Sequence, residues 1–279
     1  MHATKKIGRD EIVELMPQLD SKVFSRDVFA KTGIFVVRQV IPTETLREWQ
    51  TAWKGFTGEL QAAGGRSVNR FNPVSVDEAP PPILADMHKH PALLDVIEQA
   101  FGPDIALYNQ RFVIKDASSR TPVFLHQDFC YHKGWPSKLS AFVALSPMNP
   151  DNGGMVFYPG THQFGYLGDA GQINPDILEA DWPTLAPSLE PGDVAFMNSC
   201  TWHSSGPHVS GPDRVLADII YQPADDPSGV ALLRGQWQTD IFLSKLNSKD
   251  IFTRSRSSTM GELQRKVEQL ESERAAVAN

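Results

Sequence analysis

The sequence predicts a mainly β fold, an antiparallel sandwich or barrel with helices flanking it. Two observations carry this expectation. Downstream of Gly102 the chain breaks into short apolar runs divided by turn residues, whereas upstream of it apolar residues recur at helical spacing. In the upstream part, Leu46, Trp49, Trp53, Phe56 and Leu60 alternate in steps of three and four, which predicts a helix over 43–60 with Pro42 and Thr43 at its start. A second helix is predicted over 91–101, because proline suits a first helical position and Gly102-Pro103 stops the pattern. Between them, 74–82 is rich in proline and acid and reads as a loop. Residues 33–40, GIFVVRQV, have the β-branched content of a strand.

The downstream runs predict strands over 105–115, 122–128, 139–145, 154–158, 193–198 and 214–222. Asp151-Asn152-Gly153-Gly154 suits a hairpin, and Glu190-Pro191-Gly192-Asp193 has proline and glycine where a type II turn needs them. The 168–187 segment is longer and less regular, a candidate lid on a rigid sheet. At the end, Met260, Leu263, Val267 and Leu270 follow a three-four seam among charges, so 259–279 is read as an amphipathic helical tail and a possible homo-oligomer contact. Residues 1–258 are read as one domain, since 279 residues with 41% hydrophobic content suffice for one large core.

Composition narrows the function. A formal net charge of -7 offers no broad attraction for nucleic acid or an anionic membrane, which leaves small molecules as partners. No apolar run approaches the ~18 to 20 residues of a membrane span, and the charged N-terminus does not read as a signal peptide; a cytoplasmic protein is expected. Cys130 and Cys200 are too few for a disulfide framework and lack zinc-site spacing.

The chemistry-bearing residues centre on His126-Gln127-Asp128. At the end of a strand, alternation places His126 and Asp128 on one face, able to reach one metal ion. His203, following the strand after the Pro191-Gly192-Asp193 turn, is the best third ligand. Two imidazoles and one carboxylate leave three positions open on Fe(II), the number a bidentate 2-oxo acid and dioxygen require. A cupin-like isomerase or hydrolase using zinc or manganese, or a non-catalytic metal-binding relative, would use a similar ligand set.

The text LHQDFCYH, then DNGGMVFYPGTHQ, then PGDVAFMNSCTWHSSGPH and DRVLADIIY resembles the phytanoyl-CoA dioxygenase family of 2-oxoglutarate oxygenases, which includes the ectoine hydroxylases; weaker similarity extends to GIFVVRQVIPTETL. The resemblance implies a double-stranded β-helix (jelly-roll, cupin-like) core with Fe(II), 2-oxoglutarate and dioxygen as reactants. It implies His126, Asp128 and His203 as iron ligands, with Arg214 and Ser205 on the distal carboxylate of 2-oxoglutarate, and Lys115 and Phe142 beside that co-substrate. Related halogenases have a small residue where Asp128 stands, so the carboxylate points to oxygen transfer, with desaturation, epoxidation or ring closure as the alternatives. His162 and His208 are expected to be structural. Substrate contacts are expected from Asn109, Gln110 and Arg111 on a pocket-facing strand, from Arg70, from Tyr131, His132 and Trp135 at the pocket mouth, and from Arg234 and Trp237 closing over the opening. That mixture suggests a polar or anionic metabolite.

Overall fold

The computed structural model describes residues 7–62, 70–71, 80–117, 121–168, 172–243 and 263–270. Helices α1 (Arg9–Leu15), α2 (Arg26–Thr32), α3 (Thr43–Ala62), α4 (Pro82–Ala85) and α5 (Pro91–Phe101) occupy the first part of the chain. Strands β1 (Asp20–Ser21), β2 (Ile34–Val37) and β3 (Arg70–Phe71) lie among them. The remainder forms β4 (Ile105–Lys115), β5 (Val123–His126), β6 (Leu139–Ala144), β7 (Met155–Tyr158), β8 (Val194–Asn198), β9 (Trp202–Ser205), β10 (Arg214–Pro223) and β11 (Ala231–Arg234). The predicted helices and strands are all present, with ends moved by a few residues. Those not foreseen are α1, α2, α4, β1, β3, β9 and β11.

Two sheets face each other. The larger runs β1-β2-β8-β6-β10-β4-β11, with β3 paired to β4, and the smaller runs β5-β9-β7. All pairings are antiparallel except β1 with β2. The architecture is a double-stranded β-helix with a helical cover. Strands β6 and β10 are buried almost end to end because the large sheet is covered on both faces. On its outer face, Trp53 of α3 stacks 4.6 Å from Phe112 of β4, and Leu93, Leu94, Val96 and Ile97 of α5 are buried. Leu46, Trp49 and Phe56 of α3 are buried as their spacing predicts.

Turns behave as their residues suggest. Asp193 donates its N–H to the Glu190 carbonyl at 3.0 Å across Pro191-Gly192. Gly33 ends α2 at φ +69, and a Cβ there would lie 2.5 Å from Nδ1 of His162, so the glycine admits both the backbone turn and the close approach of that ring. His162 itself is held at 3.2 Å from the Ala30 carbonyl, a loop contact of the expected kind. The irregular segment expected as a lid is tied down where described: Ile173 N–H donates to Leu125 O, and Leu185 and Phe157 exchange backbone bonds at 2.9 Å.

No helix among the described residues is long and apolar enough to cross a membrane. Residues 263–270 are helical, with Leu263, Val267 and Leu270 all exposed; Met260, most of the predicted 74–82 loop and the Leu60 side chain lie outside the described residues. An apolar seam left in water favours association. Truncation after Ser258 is therefore expected to lower the number of subunits per particle in solution, read by light scattering. An unchanged subunit number would leave the tail no part in assembly.

Candidate metal centre

The small sheet builds the centre. His126, the last residue of β5, sits directly opposite His203 in β9, and their ring centroids are 4.2 Å apart. The strand stops there, and Asp128 opens a 3-10 turn, yet alternation still holds. Gln127 points away and is buried, donating to Gly165 O at 2.7 Å and Cys200 O at 2.8 Å while accepting from Leu167 N–H. Asp128 thereby returns to the side of His126. Its Oδ1 lies 3.6 Å from His126 Nε2 and its Oδ2 3.8 Å from His203 Nε2. The ligand atoms of all three residues lie within 4.8 Å of one another, and they form the one such cluster found among the described residues.

The donor set fits a metal ion. His126 Nδ1 lies 2.7 Å from Phe124 O and His203 Nδ1 3.1 Å from Thr201 O. Each carbonyl accepts from an Nδ1–H, which leaves both Nε2 lone pairs directed at the shared space. Oδ2 of Asp128 is buried with no hydrogen-bond partner, a costly arrangement unless a cation meets it. Burial works against the Asp128 charge, but His203, His126 and Arg111 outweigh it and hold the carboxyl well below its usual range. Burial lowers His203 to about 4, so this imidazole is a neutral ligand at ordinary pH. For His126 burial acts the same way, yet contact with Asp128 prevails and raises its pKa.

A cavity of about 70 Å³ adjoins the three ligands, lined by Val113, Phe142, Met155, Ser205, Arg214 and Leu216 among others. Strand alternation explains the wall: Arg111 and Val113 of β4 and Arg214 and Leu216 of β10 face inward, while Phe112 turns to α3. Arg214 is 1% exposed, and its Nη1 donates to Gly153 O at 2.5 Å. Its Nε has no partner, and no carboxylate of the described residues pairs with it. Burial accordingly lowers its pKa to about 10. Lys115 is its partner in the β4/β10 register, so two buried cations stand side by side. Burial, then the neighbouring Arg214 charge, lowers Lys115 to about 8. Gly153, at φ +86, makes room for this lysine: a Cβ there would lie 2.5 Å from Lys115 Cδ. Asn152 holds the same turn by bonds to Asn149, Pro147 and Pro212, and His208 is buried against Pro212 O at 3.2 Å.

Several expected substrate contacts are corrected. Gln110 is fully buried on the opposite face of β4, where its Oε1 accepts from His88 N–H and its Nε2 donates to Leu84 O. Asn109 turns its Oδ1 back to the Gln110 N–H. Arg234 pairs with Asp95 and Glu98 of α5, and Trp237 packs over Gly229, 5.1 Å from Phe242; neither lines the cavity. Arg111 does line it, but Nε donates to Oδ2 of Asp218 at 2.5 Å. Burial opposes the Arg111 charge, and Asp218 and Asp128 more than restore it. The polar or anionic substrate expectation rested on these groups; Arg111 and Arg234 both commit their charge to protein carboxylates. For Arg70 the backbone pairs with Val113, and its side chain lies outside the described residues. Tyr131 and Trp135 are exposed, with the Tyr131 ring 6.3 Å from His126. His132 is 4.9 Å from the Tyr108 ring, and burial lowers its pKa to about 4. Asp218 was not foreseen from sequence.

A double-stranded β-helix with two histidines and an aspartate at one end of the small sheet is the arrangement of mononuclear metal proteins. Residues 29–216, more than half of the chain, match the phytanoyl-CoA dioxygenase family, and the chain belongs to that family. It is 25% identical over 247 residues to the 1-deoxypentalenic acid 11-beta-hydroxylase of Streptomyces arenae, covering 78% of this chain and 87% of that protein. Its fold is similar to that of EctD from S. alaskensis, crystallised with 2-oxoglutarate and 5-hydroxyectoine (TM-score 0.63, 18% identity, 84% and 85% of the two chains). It is also similar to that of the epimerase SnoN in complex with Fe3+, alpha ketoglutarate and nogalamycin RO (TM-score 0.59, 20% identity, 72% and 84% of the two chains).

Proposed function

We propose that this chain uses Fe(II), 2-oxoglutarate and dioxygen to hydroxylate a C–H bond of a small molecule. The observation that carries the reading is one cavity lined both by a three-ligand metal cluster and by the buried, acid-free cation Arg214. Metal-dependent hydrolysis as such has no need of a 2-oxo acid clamp. In this reading His126 and His203 bind iron through Nε2 and Asp128 through Oδ2. Arg214 receives the distal carboxylate of 2-oxoglutarate as a planar fork, Ser205 adds a hydroxyl donor, and Lys115 adds a second positive charge. Phe142, Val113, Met155 and Leu216 exclude water around the co-substrate chain. Iron with 2-oxoglutarate supplies the oxidising power, with succinate and carbon dioxide as by-products. Substrate approaches past Tyr131, His132 and Trp135. The full carboxylate at Asp128 favours oxygen transfer over halogenation, because it occupies the coordination position a halide would need; desaturation, epoxidation or ring closure would use the same ligands.

A panel of small molecules screened anaerobically loaded and then oxygen-pulsed tests this. Succinate should form in step with a product one oxygen heavier. Product of unchanged mass would point to epimerisation, and no succinate with any iron-loaded sample would overturn the reading.

Lys115 supplies a pH signature. It is protonated below about 8, so affinity for 2-oxoglutarate should weaken as pH rises through that value, and Lys115→Met should flatten the profile. Stability of the ligand-free protein should move the opposite way. Between about 8 and the ordinary 10.5 the unfolded chain holds this proton and the folded one does not, so this group adds stability as pH rises. Calorimetric titration of 2-oxoglutarate between pH 6.5 and 9.5 reads the first effect, and a profile identical in Lys115→Met would remove Lys115 from the site.

A further inference from the structure

Arg111 joins two carboxylates of different standing. Its Nε donates to Oδ2 of Asp218 at 2.5 Å, and its Nη2 lies 3.7 Å from Oδ1 of Asp128. Asp218 is fully buried and faces Arg111 directly across the β4/β10 ladder. The two oxygens of Asp128 are thus unlike: Oδ1 lies against Arg111 and His126, whereas Oδ2 is the buried atom without a hydrogen-bond partner, on the side of His203.

A carboxylate beside a metal can bind through one oxygen or through both, and each mode leaves a different number of open positions. We infer that the Arg111–Asp218 pair is a positioning device for Asp128, in which the tethered guanidinium engages Oδ1 and leaves Oδ2 as the single coordinating atom. The inference rests on the reading of Asp128 as an iron ligand. Two features support it. A buried ion pair is weak as a source of stability, since apolar residues of similar size often fill such a position at least as well; this pair sits against the metal cluster. Asp218 also fixes Nε, so the fork cannot swing away from Oδ1 without breaking a buried bond.

The pair is neutral as a unit. Removing Arg111 alone would leave added net negative charge beside the cluster and attract cations unspecifically, so the informative variant replaces both, Arg111→Met with Asp218→Val. It should melt near the wild-type temperature. Its affinity for Co(II), titrated without 2-oxoglutarate or substrate, should fall about 10- to 100-fold, the usual loss when a partner of a metal ligand is removed. The visible absorption of bound Co(II) should also change as the carboxylate changes its mode. Wild-type affinity and spectrum in a folded double variant would overturn the inference, as would intact metal binding with turnover lost, which would make Arg111 a substrate anchor. Should the double variant not fold, Asp218→Asn keeps Arg111 and removes the charged tether, and an unchanged Co(II) spectrum there would overturn it equally. Asp128→Ala serves as the control: if it binds Co(II) as wild type does, the ligand assignment itself falls.

Discussion

Alanine at His126, Asp128 or His203 is expected to abolish turnover and empty the metal site while leaving the fold intact. Each change removes one of three protein ligands, and loss of a mere supporting partner already costs about 10- to 100-fold in metal affinity, so losing a ligand should cost more than about 100-fold. The fold should survive because the core lies in the large sheet and its helical cover, not in β5 and β9. His203→Ala is the most disruptive of the three to packing, as its ring is buried 6.3 Å from Phe157 and 6.5 Å from Phe142. Asp128→Asn is the most informative, because it keeps the shape and removes the charge that His126, His203 and Arg111 share. Metal content by elemental analysis, with thermal melts alongside, checks all three. Ordinary iron content and activity in any of them would take that residue out of the triad.

Helices α3 and α5 and most strands were legible because burial on one face imposes a period that survives in the sequence. Strand β9 was not, although it carries His203. Its residues, Trp202-His203-Ser204-Ser205, contain a single large apolar side chain, and it is a strand through its partners: β5 on one side, β7 on the other, with Trp202 N–H held by Thr161 Oγ1 at 2.9 Å. The family resemblance carried by LHQDFCYH singled out His126 and Asp128 as ligands, and local alternation put them on one face. The same rule, applied to Asn109-Gln110-Arg111, forbids three consecutive residues from facing one pocket, and the structure sends Gln110 to the helices. The Arg111–Asp218 contact was beyond reach for a different reason. It depends on the register between β4 and β10, strands far apart in the chain, and an acid inside the text ADIIY carries no local sign of its partner.

Arg214→Ala is expected to weaken 2-oxoglutarate binding by about 30-fold or more while iron content stays near wild type. Breaking a buried, hydrogen-bonded charge pair by removing one side costs roughly 2 to 5 kcal/mol, and ~1.4 kcal/mol corresponds to a factor of ten. The size follows from burial: Arg214 is 1% exposed, so little water screens it, and its Nε is free to receive a ligand. The iron ligands lie on the other sheet and should be undisturbed. Arg214→Lys should recover only part of the loss, since an ammonium cannot present a planar fork, and it would stand as a second buried ammonium beside Lys115. Ser205→Ala should cost less, on the order of 1 kcal/mol, because Arg214 still neutralises the anion. Loss of the bond to Gly153 O is the one structural side effect to control, by comparing melting temperatures without ligand. Anaerobic titration of 2-oxoglutarate into the Fe(II) protein, followed by its visible charge-transfer absorption, reads the affinity without knowledge of the substrate. Undiminished affinity in folded, iron-loaded Arg214→Ala would end the assignment of this cation to the co-substrate and restore a zinc or manganese centre as the better reading of the three ligands.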